Sequence, residues 1–239
     1  MKVIVCKDYA EVSAKAYEVM KEVVTSKEKP VLGLATGSSP IGLYENMIKG
    51  HKEDGISYAN VVTFNLDEYV GIDRNHEQSY YTFMHENLFH GLDIKEENVH
   101  VPYGSTKKEC DEYEAAMEGH HVDIQVLGIG GNGHIGFNEP GTSFESTTHI
   151  VDLQERTISD NARFFDGDMN KVPKQAITMG IATIMKAGKI LLVANGANKA
   201  DAVAGLVNGP ITEDLPASIL QKHDDVVVIV DEAAASKLK

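Results

Sequence analysis

The chain has 239 residues, of which 42% are hydrophobic and 24% charged, a composition typical of one globular domain. Its formal net charge of -14 argues against nucleic acid and anionic membrane as partners, because either would repel the molecule. It has no apolar run near the roughly 20 residues of a membrane span, no secretory signal pattern, and two cysteines without metal-ligand spacing, so we expect a soluble, cytoplasmic protein.

Apolar, β-branched runs recur along the chain and predict buried strands. They lie at residues 1–6, 31–36, 61–66, 122–130, 175–180, 189–194 and 225–230. Segments with helical spacing of apolar residues lie at 11–24, 41–51, 79–89 and 107–120. Because strands and helices alternate, we predict a single α/β domain over residues 1–239, with a doubly wound, mostly parallel sheet and helices on both faces. Residues 141–174 contain no clear strand, which fits an active-site lid or a surface excursion without a role.

In such sheets ligands bind beyond the carboxyl ends of the strands. The first of these loops contains Thr36, Gly37, Ser38 and Ser39, followed by Pro40. Pro40 suits the first turn of a helix, with Ser39 as its N-cap. Free N–H groups at the start of that helix, together with three hydroxyls, predict an anion site that fits a phosphate. Simple capping by one serine is the alternative.

The next loop along the chain carries carboxylates. The predicted strand at 61–66 is followed at once by Asp67 and Glu68, at the edge where the site is expected. Asp67 is the better candidate for a base that acts on carbon. The alternative is that both acids are solvated loop residues or helix caps.

The glycine-rich segment GIGGNGHIGFNEPG, residues 128–141, has two interpretations. Gly128, Gly130 and Gly133 match the G-x-G-x-x-G pattern of a dinucleotide site, but that pattern must open a helix. The next eight residues, HIGFNEPG, contain two glycines and a proline, so a helix is not expected. What remains is a tight loop that presents His134 and Glu139 for acid/base chemistry. The alternative is that His134 only bonds a neighbouring loop.

Two cations complete the candidate residues. Lys199 lies in the first turn of a predicted helix after the strand at 189–194, where a cation opposes the helix dipole and an anionic partner would explain its placement. Arg163 is a second possible counter-ion, because guanidinium binds phosphate in a bidentate manner. Either residue is also consistent with a solvated surface charge. The sequence contains no P-loop, no zincin spacing and no nucleophile elbow.

With these residues in view, the chain closely resembles the glucosamine-6-phosphate deaminase family. The matching blocks cover most of residues 31–200 and are LATGSSPIGLY, TFNLDEYVG, SYYTFMHENLF, GIGGNGHIGFNEPG, ARFFDGD, VPKQAITMG and NGANKA. The related 6-phosphogluconolactonases are similar in fold and in the G-x-G-x-x-G-H portion, but FNEPG is the deaminase form. The resemblance implies conversion of D-glucosamine 6-phosphate and water to D-fructose 6-phosphate and ammonia, without a metal or an organic cofactor.

The resemblance also implies a role for each candidate residue. Asp67 corresponds to the base that moves a proton between C2 and C1, and His134, supported by Glu139, to the residue that opens the sugar ring. The residues expected to bind the sugar phosphate are Thr36, Gly37, Ser38, Ser39, Arg163 and Lys199. Asn132 departs from the family members that have aspartate at this position, and we expect it to orient His134 by hydrogen bonding.

The expected partner is therefore a small sugar phosphate. Regulated relatives are longer at the C-terminus, so we expect a monomer or small homo-oligomer rather than a hexamer. Two other functions remain open at this stage. One is a lactonase that uses the same histidine to activate water, and the other is a non-catalytic sensor that keeps the fold and the anion site.

Overall fold

The computed structural model describes residues 1–239 except for the side chains of Arg156 and Asp160. The strands are β1 Lys2–Cys6, β2 Val31–Leu34, β3 Val62–Asn65, β4 Asp67–Tyr69, β5 Val99–His100, β6 Ile124–Leu127, β7 His149–Asp152, β8 Gln175–Thr178, β9 Ile190–Ala194 and β10 Val226–Asp231. The α-helices are α1 Tyr9–Ser26, α2 Ile41–Asp54, α3 Tyr80–Asn87, α4 Lys107–Glu118, α5 Glu155–Asn161, α6 Ile181–Ile184 and α7 Ala200–Asn208. Short 3₁₀ helices span Phe89–Gly91, Glu96–Asn98, Ala162–Phe164, Ala197–Lys199 and Pro216–Lys222.

The main sheet has seven strands in the order β1-β10-β9-β6-β2-β3-β5, and every pair in it is parallel. All five residues of β9 and the first five of β10 are buried, as expected for strands covered on both faces. Helix α1 packs on these two strands and on α2. The prediction of an α/β fold built on a doubly wound, mostly parallel sheet is confirmed.

A second sheet of three antiparallel strands, in the order β4-β8-β7, lies beside the main one. The run at 175–180 was expected in the parallel sheet, but it forms β8 and pairs antiparallel with β4 and β7. Its partners are strands of only three and four residues, with the sequences DEY and HIVD, which are too short for a recognisable strand pattern. The small sheet fixes β4, so that Asp67 lies opposite Thr178.

The segment 141–174 is more regular than the sequence indicated, because it contains β7 and α5. Apolar residues from this segment form a second hydrophobic cluster with residues from other parts of the chain, separate from the main core. The cluster consists of Tyr69, Ile72, Phe137, Leu153, Ile158, Ala162, Phe165, Val172 and Ala176. The assignment of this segment as a lid stays a prediction.

Helix α2 begins one residue later than predicted. It starts at Ile41, and Pro40 occupies the N-cap position without a side-chain hydrogen bond. The prediction that Ser39 is the N-cap is therefore wrong. The physical reason is that the N–H of Gly42, which an N-cap side chain would normally bind, donates instead to the hydroxyl of Tyr9 at 2.9 Å.

Among the residues that the structure describes, no helix is both long enough and apolar enough to span a bilayer.

Candidate active site

A cleft of about 450 Å³ opens at the carboxyl ends of four parallel strands, β2, β3, β6 and β9. This is the edge at which doubly wound sheets bind ligands. The loops that we predicted to bind a ligand line this cleft. Every predicted site residue except Glu139 lines the cleft. These residues are Thr36, Gly37, Ser38, Ser39, Asp67, Asn132, His134, Arg163 and Lys199.

The T-G-S-S loop, residues 36–39, forms one end of the cleft between β2 and α2. No acceptor in the described part of the chain lies within hydrogen-bond reach of the backbone N–H groups of Gly37, Ser38 and Ser39. Two cations from distant parts of the sequence, Arg163 and Lys199, line the same cleft. Arg163 lies with its guanidinium 4.6 Å from the Phe164 ring centroid, and Lys199 lies at the start of α7. Amides that have no acceptor among the described residues, together with nearby cations, can hold a phosphate.

Asp67 is the first residue of β4 and is only 6% exposed. Its carboxylate accepts no hydrogen bond from any group that the structure describes. Burial raises the pKa of Asp67 to about 8, and the neighbouring Glu68 charge adds to the rise. The alternative of a solvated acid or a helix cap is therefore wrong for Asp67. A buried carboxyl without donors, facing a cleft, is able to exchange a proton near neutral pH.

Glu68 points to the other side of β4, because side chains alternate along a strand. It is fully buried and accepts the backbone N–H groups of Tyr69, Tyr80 and Tyr81 at 2.9 Å each. Burial raises its pKa, although these three donors oppose the rise. Glu68 therefore fixes β4 to the first turn of α3, and the alternative of a helix cap holds for this residue.

His134, Asn132 and Glu139 form a hydrogen-bonded relay at the glycine-rich loop. His134 Nδ1 lies 2.8 Å from Asn132 Oδ1, and Asn132 Nδ2 donates to Glu139 Oε2 at 2.7 Å. The carboxylate can only accept, so it fixes which end of the amide faces His134. Asn132 Oδ1 then accepts the Nδ1 proton, which leaves Nε2 of the neutral imidazole with a lone pair. The expectation that Asn132 orients His134 agrees with this geometry.

Glu139 stands behind this relay and does not line the cleft. Its Oε2 lies 3.5 Å from His134 Nδ1, and its Oε1 accepts a hydrogen bond of 3.0 Å from Thr157 of α5. Burial favours a raised pKa for Glu139, but the interaction with His134 and the hydrogen bonds from Asn132 and Thr157 outweigh it and hold the pKa below its usual value. Glu139 is therefore an ionised group that acts on the cleft through its neighbours.

The glycines of the loop have a steric explanation. A Cβ atom added to Gly130 would lie 2.2 Å from Cε1 of His134, so the imidazole packs directly on the glycine backbone. The loop contains no helix, as predicted. The histidine explains Gly130 alone. Gly133 has a φ of 85°, and a Cβ atom added there would lie 2.5 Å from Cγ of Leu215.

Several cleft residues were not predicted from the sequence. Thr157 and Asn161 lie four residues apart on one face of α5, and Asn161 Nδ2 donates to the Tyr69 hydroxyl at 2.8 Å. The sequence signal that could have identified them is their spacing of four residues, which places two side chains on the same face of a helix. Aromatic side chains form much of the remaining wall and are Tyr69, Tyr80, Phe83, Phe137, Phe164 and Phe165. Within the described residues, no group of three or more His, Cys, Asp or Glu side chains could hold a metal ion.

Comparison with known proteins gives a consistent result. A family model described as glucosamine-6-phosphate isomerases/6-phosphogluconolactonase matches residues 8–229. A protein of Clostridium novyi (strain NT) named glucosamine-6-phosphate deaminase is 50% identical and aligns over 100% of both chains.

Solved structures agree with the family match. One described as a monomeric glucosamine-6-phosphate deaminase of the NagB superfamily is 45% identical, covers 99% of this chain and 100% of its own, and superposes with a TM-score of 0.96. A 6-phosphogluconolactonase from Leishmania guyanensis is 19% identical over 100% of this chain and 98% of its own, with a TM-score of 0.79, and shares the fold. The family model spans nearly the whole chain, and the chain therefore belongs to the family of glucosamine-6-phosphate isomerases and 6-phosphogluconolactonases.

Proposed function

We propose that this chain converts D-glucosamine 6-phosphate and water to D-fructose 6-phosphate and ammonia. The observation that carries the proposal is the presence of three groups in one cleft: a buried carboxyl at Asp67, a histidine with a fixed tautomer at His134, and an anion site at residues 36–39. Relatives about half identical over the full length are named for this reaction. The lactonases share the fold at 19% identity, which is too distant to support their activity here.

In this proposal the phosphate lies at the T-G-S-S loop, with Arg163 and Lys199 as counter-ions. Three unpaired N–H groups and the serine hydroxyls supply donors, and the cations offset the net charge of -14 locally. Holding the phosphate fixes C1 and C2 of the sugar at the other end of the cleft. Binding energy from this remote group can then orient the reacting carbons.

Ring opening is assigned to His134. A closed aminosugar has no acidic C–H, so the aldehyde must first be exposed. The Nε2 lone pair takes the proton of the anomeric hydroxyl and returns a proton to the ring oxygen as the C1–O bond to that oxygen breaks. The imidazolium formed in between is stabilised by ionised Glu139, which acts through Asn132 and at 3.5 Å directly.

Isomerisation is assigned to Asp67. In the open chain the C2 proton is next to a carbonyl, so a carboxylate can take it and return it to C1. The raised pKa of Asp67 keeps this group protonated at neutral pH in the free protein, but an ammonium at C2 of the bound sugar favours the carboxylate. As the C2 proton leaves, the ammonium gives a proton to the aldehyde oxygen, so that an enolamine with a C1 hydroxyl forms. Return of the C2 proton to C1 then leaves an iminium at C2, to which water adds, and ammonia leaves the resulting carbinolamine.

The segment 141–174 is proposed to be the lid of this cleft. Two observations support the assignment. Helix α5 within it places Thr157 and Asn161 on the cleft, and Thr157 bonds Glu139 directly. The segment also packs its apolar residues on Tyr69 and Phe137, which belong to the cleft wall. A lid that contacts Glu139 would complete the relay when it covers the substrate and excludes water.

The proposal also covers location and assembly. Both cysteines, Cys6 and Cys110, are free and buried, which supports the cytoplasm as the site of the reaction. A monomer is proposed, supported by the similar solved deaminase that is described as monomeric.

The test is incubation of the purified protein with glucosamine 6-phosphate, with ammonia and fructose 6-phosphate followed together. We expect both products in equal amounts. Asp67→Asn is the matched control, because it keeps the shape of the side chain but cannot take the C2 proton. It should lose activity by a factor on the order of 10² or more and should still bind inorganic phosphate.

A parallel reaction with 6-phosphogluconolactone separates the alternatives. Hydrolysis of the lactone without release of ammonia would replace the proposal with a lactonase. Binding of sugar phosphate with neither reaction would replace it with a sensor.

A further inference from the structure

The hydroxyl of Tyr9 lies against the T-G-S-S loop from a distant part of the sequence. Tyr9 is the first residue of α1. Its oxygen lies 2.9 Å from the carbonyl oxygen of Ser38 and 3.0 Å from that of Ser39, and it accepts the N–H of Gly42 at 2.9 Å. One hydroxyl has one proton and two lone pairs, so Tyr9 shares its proton between the two carbonyls. This single group joins the loop to the first turn of α2.

The bond to Gly42 replaces a helix cap. Gly42 is the second residue of α2, and the N-cap position is held by Pro40, which has no side-chain acceptor. A serine at the end of the loop would usually bind this N–H. Because Tyr9 binds it, the hydroxyls of Ser38 and Ser39 have no partner among the described residues. They are left available to a ligand in the cleft.

The two carbonyl contacts also set the direction of an amide. The C=O and N–H of a trans peptide point in opposite directions. The carbonyl of Ser38 faces Tyr9, so the N–H of Ser39, in the same peptide unit, points away from it. That N–H has no acceptor among the described residues.

We infer that Tyr9 is a positioning residue for the phosphate site: its hydroxyl holds the backbone of residues 38–42 so that the serine hydroxyls and the Ser39 N–H are directed to the ligand. The inference rests on the proposed function for the nature of the ligand. Tyr9 itself does not line the cleft, so it acts through the loop.

The packing of α1 on α2 supports a specific fit at this point. A Cβ atom added to Gly42 would lie 3.3 Å from Cε1 of Tyr9 and 2.1 Å from the hydroxyl oxygen of Ser13. Ser13 in turn donates to the Tyr9 carbonyl at 2.8 Å. The absence of a side chain at Gly42 thus allows the tyrosine hydroxyl to reach the helix backbone.

The same helix provides a matched control. Tyr17 also packs from α1 on a glycine of α2, since a Cβ atom added to Gly50 would lie 1.7 Å from its hydroxyl oxygen. Unlike that of Tyr9, the hydroxyl of Tyr17 is buried and has no hydrogen-bond partner among the residues that the structure describes. Tyr17→Phe therefore removes an oxygen from the same helix interface without loosening the loop.

The experiment compares Tyr9→Phe, Tyr17→Phe and the unchanged protein. The measurements are KM and kcat for glucosamine 6-phosphate, the Kd of inorganic phosphate by calorimetry, and the thermal unfolding midpoint. In Tyr9→Phe we expect KM and the phosphate Kd to rise together by roughly three- to tenfold, as for the loss of one set of hydrogen bonds, with kcat nearly constant. Tyr17→Phe should match the unchanged protein in KM, kcat and phosphate Kd.

An unchanged phosphate Kd in a folded Tyr9→Phe variant would overturn the inference. So would an equal rise in both variants, because that would reflect the helix packing alone. A fall in kcat at constant KM would also overturn it, since it would move Tyr9 away from the phosphate. If the unchanged protein lacks deaminase activity, the proposed function fails, but the phosphate Kd still decides the role of Tyr9.

Discussion

Asp67, the base of the proposed reaction, shows how a proposed catalytic role conflicts with stability. The carboxyl lies in the cleft wall, 6% exposed and without a hydrogen-bond donor among the described residues. Burial raises its pKa to about 8, whereas an aspartate in an unfolded chain has a pKa near about 4. The folded protein therefore holds a proton that the unfolded chain has lost at neutral pH. This difference makes the free energy of unfolding depend on pH.

The sign of that dependence gives the first prediction. Between the two pKa values the unfolded state binds fewer protons, so the Asp67 contribution to stability is full below about pH 4 and is lost as the pH rises to about 8. The loss is about 1.4 kcal/mol per pH unit. Asp67→Asn has no such titration. We expect its advantage in unfolding free energy over the unchanged protein to grow from pH 5 to pH 8 and then to stay constant.

Urea unfolding of the two proteins at pH 5, 7 and 9 measures this advantage. Growth of several kcal/mol between the first and last pH would follow from the four-unit difference in pKa. Parallel stability curves would mean that Asp67 is ionised in the free protein. The substrate ammonium would then have no part in activating the base.

At the scale of single residues, the sequence predicted chemical types better than contacts. Asp67, His134 and Glu139 were identified because acids and a histidine follow strand ends. The bridge through Asn132 was foreseen only as hydrogen bonding to His134. Its second bond, to Glu139, depends on how residues 132–139 turn, and a glycine-rich loop does not encode that turn in any periodic pattern.

Helix α5 is the element in which the proposed lid can be tested most directly. Thr157 donates to Glu139 Oε1 at 3.0 Å and is one of the groups that hold the pKa of Glu139 below its usual value. Thr157→Val keeps the side-chain shape but removes the donor. We expect kcat to fall by roughly three- to tenfold, with less effect on KM. The acid limb of the kcat profile should shift to higher pH, because the pKa of Glu139 rises.

Thr157→Ser is the matched control, since it retains the hydroxyl on the same helix. Steady-state kinetics over a range of pH should place it close to the unchanged protein. If valine and serine variants share the same kcat and the same acid limb, the contact of α5 with Glu139 has no role in ring opening.

At the scale of elements, prediction succeeded where strands are apolar on both faces. β2, β3, β6 and β9 fall within the runs identified from the sequence, and β10 extends one residue beyond its run, because buried parallel strands require continuous apolar residues. The small sheet was missed for the opposite reason. β4 and β7 have the sequences DEY and HIVD, and such short strands are fixed by tertiary pairing with β8 rather than by their own pattern.

At the scale of the whole molecule, the charge of -14 and an anionic substrate are compatible only if the site overrides the field locally. In the proposed function the cleft does so with two cations and with the amides of residues 37–39, which have no acceptor among the described residues. The composition therefore excluded macromolecular polyanions without excluding a small phosphate. It could not show that the proposed anion site is built by loops from four strands that meet at one edge of the sheet.

The same geometry predicts that one chain is sufficient for activity. The cleft is lined by the T-G-S-S loop, Asp67, Asn132, His134 and α5 of a single chain, so no residue of a second copy is needed to complete it. We expect light scattering after gel filtration to give a mass near 26.1 kDa. Specific activity should stay constant as the enzyme is diluted. A larger mass at high concentration, with activity that falls on dilution, would mean that contact with another copy stabilises the cleft or its lid, and the monomer would have to be abandoned.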